Sequence, residues 1–365
     1  MKLRELITAL EKWAPISDAE DFDNVGLLVG NSSDEIHKAL VTLDITEDVL
    51  QEALEEKADL IITFHPLIFK GLKRLSGDSR VEKLIVKAIQ NNISIYAIHT
   101  NLDAQIDGVN AKISEQLGLV NNKILMPKSD DLSKLIFFVP QENADEVNNA
   151  IFETGAGKIG NYAECSFSSK GKGTFKPIND ADPYSGELNK KHIADEIKVE
   201  ILVEQHKIGA ALNALKKAHP YEEVAYDLVV LHNENQTKGM GQIGELENPM
   251  SEEDFLKHLK VKLPTDCIRH SNLRGKMVKK VAVLGGAGAF GISAAKSAGA
   301  DVYITADLKY HDFFLAENKI LLCDIGHYES EQYTKNHITN YISKIFPNFA
   351  VLTSVKNTNP INYYI

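Results

Sequence analysis

The sequence predicts an α/β protein that is interrupted by a segment of different architecture. Two observations lead to this fold class. Short β-branched runs alternate with helical segments near both ends of the chain, a pattern typical of mostly parallel sheets with helices on both faces. Between the two ends, the order of strands and helices changes. The chain therefore contains an α/β core built from both ends and an insert between its halves.

The first half of the core begins with an amphipathic helix. Leu3, Leu6 and Leu10 recur at helical spacing, and charged residues lie between them. The segments that follow are predicted, in order, as strand 38–45, helix 47–58, strand 59–64, a helix near 80–91 and strand 93–98.

The second half of the core repeats this alternation. The predicted order is strand 279–286, helix 291–297, strand 301–307, helix 311–316, strand 319–326 and a long helix over 329–345. Both halves therefore favour the same α/β architecture.

The central segment follows another order. It is predicted as strand 134–140, helix 144–153, strand 162–167, a turn at SSKGKG (168–173), strand 174–178, strand 198–204, helix 208–218 and strand 223–231. Apart from one extra short strand, this is the β-α-β-β-α-β pattern of ferredoxin-like domains.

The boundaries of the insert are predicted from two polar, turn-rich stretches. They are MPKSDD, which begins at Met126, and HNENQTKGMGQIG, which begins at His232. The predicted division is a core first half at 1–126, an inserted domain at 127–232 and a core second half at 233–365.

Composition limits the class of protein. Acidic residues number 51 and basic residues 40, so a formal net charge of -11 argues against a broad nucleic-acid-binding surface. The three cysteines are widely separated and lack metal-ligand spacing, which argues against a disulfide framework or a zinc ribbon. The longest weakly polar stretch is too short for a membrane span. We therefore expect a cytoplasmic protein without a membrane segment.

Polar side chains follow four of the predicted strands, where open α/β sheets bind their ligands. They are His65 after the second strand, His99 and Asp103 after the third, Asp307 at the end of strand 301–307, and His327, Glu329 and Glu331 after strand 319–326. Imidazoles and carboxylates from several strand ends can converge on a divalent ion, and a carboxylate can bridge two ions. The set has the chemistry of a metal site.

Simpler interpretations of the same residues remain open. His327 and Glu331 are four residues apart and can face one point, but such a pair is more often a surface polar pair or a helix cap. His65 could be a histidine at a helix entry, and Asp103 could be an N-cap or turn carboxylate.

Other motifs are weaker. GGAGAF (285–290) follows a strand and could hold a phosphate with its amides, although a tight strand-to-helix turn is the more common role. HPYEEVAYDL (219–228) could form a second site or a helix-to-strand corner. No nucleophile motif supports a Ser/His/Asp or Cys/His arrangement.

Five segments, in order, resemble the signature of one family, the GTP cyclohydrolase I type 2 homologues, also called NIF-three-like proteins. They are DFDNVGLLVG (21–30), VTLDIT (41–46), HPLIF (65–69), HTNLD (99–103) and GHYESE (326–331). The insert, with GAGKIGNY, GKGTF and HPYEEVAYDL, is similar to the PII-like domain of longer bacterial members. The resemblance implies a NIF-three-like α/β core and a toroidal homohexamer, built as a trimer of dimers, with dinuclear metal sites facing an internal cavity.

The resemblance also implies a ligand set. His65 and Asp103 match ligands of one divalent ion, His327 matches a ligand of a second, and Glu331 matches the carboxylate that bridges both. The ions, up to two per subunit, would be zinc, iron or manganese. The nearest candidates for proton transfer or for supporting the ligands are His99, Asp307, Glu329 and His311.

One position departs from the family pattern. The family motif commonly has two adjacent histidines before the proline, whereas this chain has Phe64 and His65 before Pro66. Because Phe64 cannot bind a metal, the second ion is expected to bind more weakly than the first.

Three functions are compatible with these features. The first is a metal-dependent hydrolase that acts on GTP or a related nucleotide, as the family name implies. The second is a non-enzymatic, metal-dependent scaffold or regulatory protein whose PII-like insert senses a small ligand. The third, nucleic-acid binding in a positively lined central cavity, is disfavoured by the acidic net charge.

Overall fold

The structure, a computed structural model, describes residues 1–364. These residues form two compact units, one comprising Met1–Pro127 with Gln236–Ile365 and the other Lys128–Asn235. The first unit, the core, is therefore built from both ends of the chain, and the second unit is the insert. The units divide at residues 128 and 235, where the sequence prediction placed 127 and 232.

The first half of the core contains five helices and five strands. In order, they are α1 (Leu3–Trp13), β1 (Gly26–Val29), β2 (Lys38–Thr42), α2 (Glu47–Glu55), β3 (Leu60–Thr63), α3 (Arg80–Gln90), β4 (Ser94–Ala97), α4 (Thr100–Asp103), α5 (Val109–Leu117) and β5 (Leu119–Lys128).

The insert contains four strands and two helices. They are β6 (Leu132–Pro140), α6 (Ala144–Phe152), β7 (Ser166–Phe175), β8 (His192–Glu204), α7 (Ile208–Ala218) and β9 (Tyr226–Leu231).

The second half of the core completes the fold. It contains β10 (Asn235–Ser251), α8 (Glu252–Lys262), β11 (Arg269–His270), β12 (Met277–Ala287), α9 (Ile292–Ser297), β13 (Val302–Ala306), β14 (Leu321–Asp324), α10 (His327–Glu331), α11 (Thr334–Ile345) and β15 (Ala350–Thr353). Short 3₁₀ helices lie at Ile16–Asp18, Gln141–Asn143, Gln205–Lys207, Ala289–Gly291 and Tyr310–Ala316.

The core has two sheets. In the five-stranded sheet the order is β1-β4-β3-β2-β15, and every neighbouring pair is parallel except β1 with β4. In the six-stranded sheet the order is β11-β14-β13-β12-β10-β5, and β12, β13 and β14 are parallel. Every residue of β3 and β4 is buried, as expected for strands covered on both faces. The predicted α/β class is confirmed.

The insert forms one antiparallel sheet in the order β7-β8-β6-β9, with α6 and α7 packed on one face. The element order β-α-β-β-α-β is ferredoxin-like. The predicted turn at SSKGKG is wrong, because β7 pairs with β8 without interruption from Ser166 to Phe175. Gly173 lies directly under the carboxylate of Glu196, so this glycine permits a close approach inside a strand and does not mark a turn.

The predicted long helix over 329–345 is also wrong. The chain forms two helices there, and they are separated at Gln332 and Tyr333. The reason is that α10 packs against β12 of the six-stranded sheet, whereas α11 packs against β15 and β2 of the other sheet. None of the helices among residues 1–364 has the length and apolar character needed to cross a bilayer.

Candidate metal centre

The first component of the centre is a histidine at the carboxyl end of the five-stranded sheet. His65 follows β3, and Asp44 follows the adjacent parallel strand β2, so both side chains lie at the same sheet edge. His65 Nδ1 lies 2.9 Å from Asp44 Oδ1. The Thr358 hydroxyl donates a hydrogen bond of 2.9 Å to the other oxygen of Asp44. These contacts orient the His65 ring so that Nε2 points away from Asp44.

The second component repeats this arrangement in the six-stranded sheet. His327 follows β14 at the start of α10, and Asp307 follows the adjacent parallel strand β13. His327 Nδ1 lies 2.7 Å from Asp307 Oδ2. A histidine held by a carboxylate through its other ring nitrogen is typical of metal-ligating histidines.

Glu331 brings the two histidines to one point. A single oxygen, Glu331 Oε2, lies 3.1 Å from His65 Nε2 and 3.2 Å from His327 Nε2. One ligand atom from each of these three residues lies within 4.8 Å of the other two. His327 and Glu331 are one helical turn apart on α10, which places both side chains on the same helix face.

The inner atoms of this cluster are buried without alternative partners. His65 Nε2, Glu331 Oε2 and Asp103 Oδ1 are inaccessible to solvent and make no well-oriented hydrogen bond among the described residues. His65 Nε2 and Glu331 Oε2 nevertheless lie only 3.1 Å apart, and Asp103 interacts electrostatically with both residues. Buried polar atoms of this kind require an explanation, and a bound cation supplies one.

Gly286 makes room for the carboxylate. Its φ of +68° lies in the left-handed region, and a Cβ at this position would lie 2.5 Å from Glu331 Oε1 and 3.3 Å from His327 Nε2. In GGAGAF, this glycine therefore accommodates the Glu331 carboxylate.

The electrostatics of the cluster follow from the shared carboxylate. Burial disfavours protonation of both histidines, but Asp44 and Glu331 outweigh it and raise the pKa of His65 to about 10. Glu331 and Asp307 likewise raise the pKa of His327 to about 9. Burial opposes ionisation of Glu331, yet the two histidines hold its pKa well below its usual range. Without a metal, the cluster is thus a carboxylate flanked by two imidazolium rings.

The donor set fits a divalent transition metal. Two imidazole nitrogens and a carboxylate are ligands for zinc, iron or manganese, and soft thiolates are not among them. The cluster has the required chemistry because a cation can replace the two imidazolium protons.

Comparison with known proteins agrees with the sequence resemblance. The model of the family described as Duf34/NIF3 (NGG1p interacting factor 3) matches residues 1–360. The chain belongs to the DUF34/NIF3 family. The resemblance to GTP cyclohydrolase I type 2 homologues is therefore confirmed at the level of the family.

The chain is similar to DUF34/NIF3 relatives over its full length. A GTP cyclohydrolase 1 type 2 homolog from Staphylococcus epidermidis is 37% identical over 367 residues, covering 100% of both chains. One from Bacillus subtilis is 38% identical over 369 residues, covering 99% of this chain and 98% of the relative. The crystal structure of a NIF3-related protein from Bacillus cereus has a TM-score of 0.86 and 36% identity, with 100% of this chain and 99% of that chain covered.

In this DUF34/NIF3 chain, Asp103 is not part of the three-residue cluster but lines the same cavity as His327 and Glu331. Burial and the nearby charge of Glu331 raise the pKa of Asp103 well above its usual range. Asp103 therefore lies in the wall of the cavity that His327 and Glu331 also line, close enough to interact electrostatically with Glu331.

His99 also lies beside the cluster. Its Nδ1 is 2.8 Å from Asp23 Oδ2, and its ring packs edge-on to His65 with centroids 5.2 Å apart. Burial of Asp23 opposes its ionisation, but His99, Thr100 and the amide of Asn24 outweigh it and lower the pKa of Asp23 to about 2. A carboxylate that is ionised at neutral pH therefore lies beside the His99 ring.

Phe64 is a core residue. Its side chain is fully buried, and its ring centroid lies 5.0 Å from that of His65 and 5.2 Å from that of His99. The aromatic ring thus packs against the two histidines at the position where the sequence resemblance implies an imidazole.

Two other predicted residues lie elsewhere. Glu329 is buried and accepts a hydrogen bond of 3.0 Å from Asn359, so its carboxylate is engaged with the C-terminal segment. His311 is exposed, and its ring packs with Tyr310 and Phe314 on the 3₁₀ helix, outside the cluster.

Two residues of the centre were missed by sequence reasoning. Asp44, in VTLDIT, and Asp23, in DFDNVGLLVG, orient His65 and His99 respectively. The signal for Asp44 was its place directly after a strand, which is the criterion that identified Asp307. Asp23 follows no strand, so only the tertiary fold reveals its role.

The HPYEEVAYDL motif forms a corner of the insert. His219 Nε2 lies 2.9 Å from the carbonyl oxygen of Phe138, and the Tyr221 hydroxyl donates a hydrogen bond of 2.9 Å to Glu196. The described lining of a cavity of about 630 Å³ in the insert includes Tyr221 and both following glutamates. The motif is therefore both a helix-to-strand corner and part of a cavity wall.

Proposed function

We propose that this protein binds divalent metal ions and acts as a metal-dependent hydrolase on GTP or a related nucleotide. The observation that carries the proposal is the convergence of His65 and His327 on the buried carboxylate of Glu331, with one ligand atom of each within 4.8 Å of the other two. The names of the curated relatives, GTP cyclohydrolase 1 type 2 homologs, support the choice of substrate class.

The residues of the centre would have the following roles. His65, His327 and Glu331 hold the ions, with Asp103 as a further ligand, while Asp44 and Asp307 fix the two imidazole rings. When bound, a divalent ion supplies Lewis-acid chemistry, since it polarises substrate oxygens and lowers the pKa of water. Glu331, whose Oε2 lies near Nε2 of both rings, would contribute to holding either ion.

His99 is the residue placed to move a proton. Its Nδ1 lies 2.8 Å from Asp23 Oδ2, and His99 lines the adjoining cavity, so its ring can exchange a proton with a group bound there. Removal of His99 should lower turnover and leave the metal content unchanged.

We further propose that the protein is a cytoplasmic homohexamer. The three cysteines are all free thiols among the described residues, which suits a reducing compartment. Light scattering of the purified chain tests the assembly, and a monomer at micromolar concentration would contradict it.

The test combines elemental analysis with a nucleotide hydrolysis screen. His65→Ala and Glu331→Ala should each lose bound metal and turnover. His311→Ala, which removes an exposed histidine outside the cluster, should retain both. Turnover that survives in both cluster variants would overturn the metal-dependent mechanism.

A second candidate function is regulation by a ligand of the insert. The cavity of about 630 Å³ in the insert favours it, because this volume falls in the range of small-molecule sites. Persistent absence of turnover in the fully metallated protein would favour this function over hydrolysis.

A further inference from the structure

A second cavity, of about 480 Å³, adjoins the candidate metal centre within the core. His327, Glu331, Asp103 and His99 form one side of it, so a molecule in this cavity would contact the centre directly. Its volume falls within the usual range for small-molecule sites. The rest of its wall shows which class of molecule fits.

Three phenylalanines from separate elements line this cavity while remaining exposed. Phe22, Phe69 and Phe290 are 64%, 45% and 62% exposed, and the rings of Phe22 and Phe69 are 6.2 Å apart at a tilt of 51°. A single exposed aromatic residue is ordinary on a protein surface. Three around one cavity form an apolar surface that a planar ring can cover by stacking.

The charged side chains that line the cavity also limit the class of molecule that it can bind. Glu20, Asp103 and Glu331 supply carboxylates, and no lysine or arginine is found among the lining residues within the described chain. A smaller cavity on the other side of the centre is lined by Asp44 and Asp307, again without a described lysine or arginine. Proteins hold phosphate groups mainly with arginine, lysine or helix N-termini. His327 on this wall already faces Asp307 and Glu331, and the amides of Gly285 and Gly286 already donate to Asn110 and Ser330. The protein wall therefore offers aromatic stacking but no lysine or arginine for a polyphosphate.

We infer that this cavity binds an uncharged planar heteroaromatic ring, packed against the rings of Phe22 and Phe69, and that a phosphate chain adds little to its affinity. The inference rests on the proposed function, because the proposed metal centre is what would act on the bound ring. Glu20 lies on the same wall and can accept a hydrogen bond from a ring N–H or an exocyclic amine. The site would then select bases and nucleosides at least as well as their triphosphates.

The experiment is a fluorescence titration of the full-length chain with 2-aminopurine riboside, whose emission is quenched by stacking. With metal removed by a chelator, the riboside and its 5′-triphosphate should bind with dissociation constants within about threefold of each other. Phe22→Leu and Phe69→Leu should each weaken riboside binding by about fivefold or more, as expected for the loss of base stacking on an aromatic side chain. Phe314→Leu, which removes an exposed ring outside this cavity, should bind like the wild type.

Three results would overturn the inference. The first is triphosphate binding more than tenfold tighter than riboside binding in the metal-free chain. The second is unchanged riboside binding in both leucine variants. The third is a leucine variant whose oligomeric state changes, as measured by light scattering, while its riboside binding does not. A parallel zinc titration separates the two proposals. Zinc binding without riboside binding removes only this inference, whereas riboside binding without zinc binding removes the proposed metal site and leaves the ring pocket standing.

Discussion

The two histidine–carboxylate pairs of the candidate centre have the same arrangement of side chains but differ in their exposure to solvent. The side chains of His65 and Asp44 are 23% and 36% exposed, whereas those of His327 and Asp307 are 34% and 48% exposed. Asp44 is additionally held by Thr358. The pair in the five-stranded sheet is thus the more shielded one, and Glu331 joins it to the more exposed pair. An ion bound on the His65 side should therefore be held more firmly than one on the His327 side.

The largest expected effect is the loss of the residue common to both sides. Glu331→Gln removes the charge that both histidines face, so zinc affinity should fall by more than about 100-fold, the upper end of the effects of partners outside the ligand set. Isothermal titration calorimetry measures this. Glu329→Gln is the matched control, because Glu329 is a buried carboxylate that bonds to Asn359. Equal zinc affinities for the two variants would show that Glu331 is not a ligand.

Replacing the supporting carboxylates tests the difference between the pairs. Asp44→Asn should lower zinc affinity by about 100-fold and Asp307→Asn by about tenfold, the two ends of the range for residues that orient a metal ligand. The reason is that the shielded carboxylate exerts a stronger field on its histidine. A larger loss in Asp307→Asn would reverse the ranking of the two sides.

Gly286 is the backbone position that lies against the carboxylate of Glu331, which both histidines contact. Gly286→Ala should weaken zinc binding by at least about tenfold through displacement of Glu331, and should cost about 1–3 kcal/mol of stability from the left-handed φ. Gly299→Ala is the control, since Gly299 has a φ of +73° but open space around it. The control should share the loss of stability and keep its zinc affinity. Loss of zinc binding in both variants would mean that strain alone is responsible.

The pH dependence of stability distinguishes the metal-free from the metal-bound centre. In the metal-free chain, both histidines have pKa values above the ordinary 6.5, so the folded state binds more protons than the unfolded state. Their contribution is complete below about pH 6.5 and is lost as the pH rises through 9 to 10. Zinc requires neutral imidazoles, so the rise in Tm caused by zinc should increase from pH 6 to pH 9. A zinc effect that is constant with pH would contradict this coupling.

The sequence predicted those residues of the candidate centre that lie at the ends of parallel strands. His65, Asp307, His327 and Glu331 follow parallel strands, and strand ends can be found from apolar runs alone. The role of Gly286 depends instead on how α10 packs against β12, a contact between segments more than forty residues apart. Periodicity carries no information about such contacts. The same limit explains the broken helix after Glu331, because its two parts pack against different sheets.

The smallest expected effect concerns Phe64, which stands where the sequence resemblance implies a second histidine. Phe64→His should strengthen zinc binding at the weaker position by about tenfold or less, since it adds one nitrogen donor beside His65. The side chain is fully buried, so the smaller polar ring should also lower Tm. Phe64→Leu shares the loss of packing without the donor and is the matched control. Calorimetric zinc titration of the metal-free chain measures the affinity of both positions. Two equally tight sites in the wild type would show that Phe64 does not occupy a missing ligand position. Equal zinc affinities for Phe64→His and Phe64→Leu would show the same.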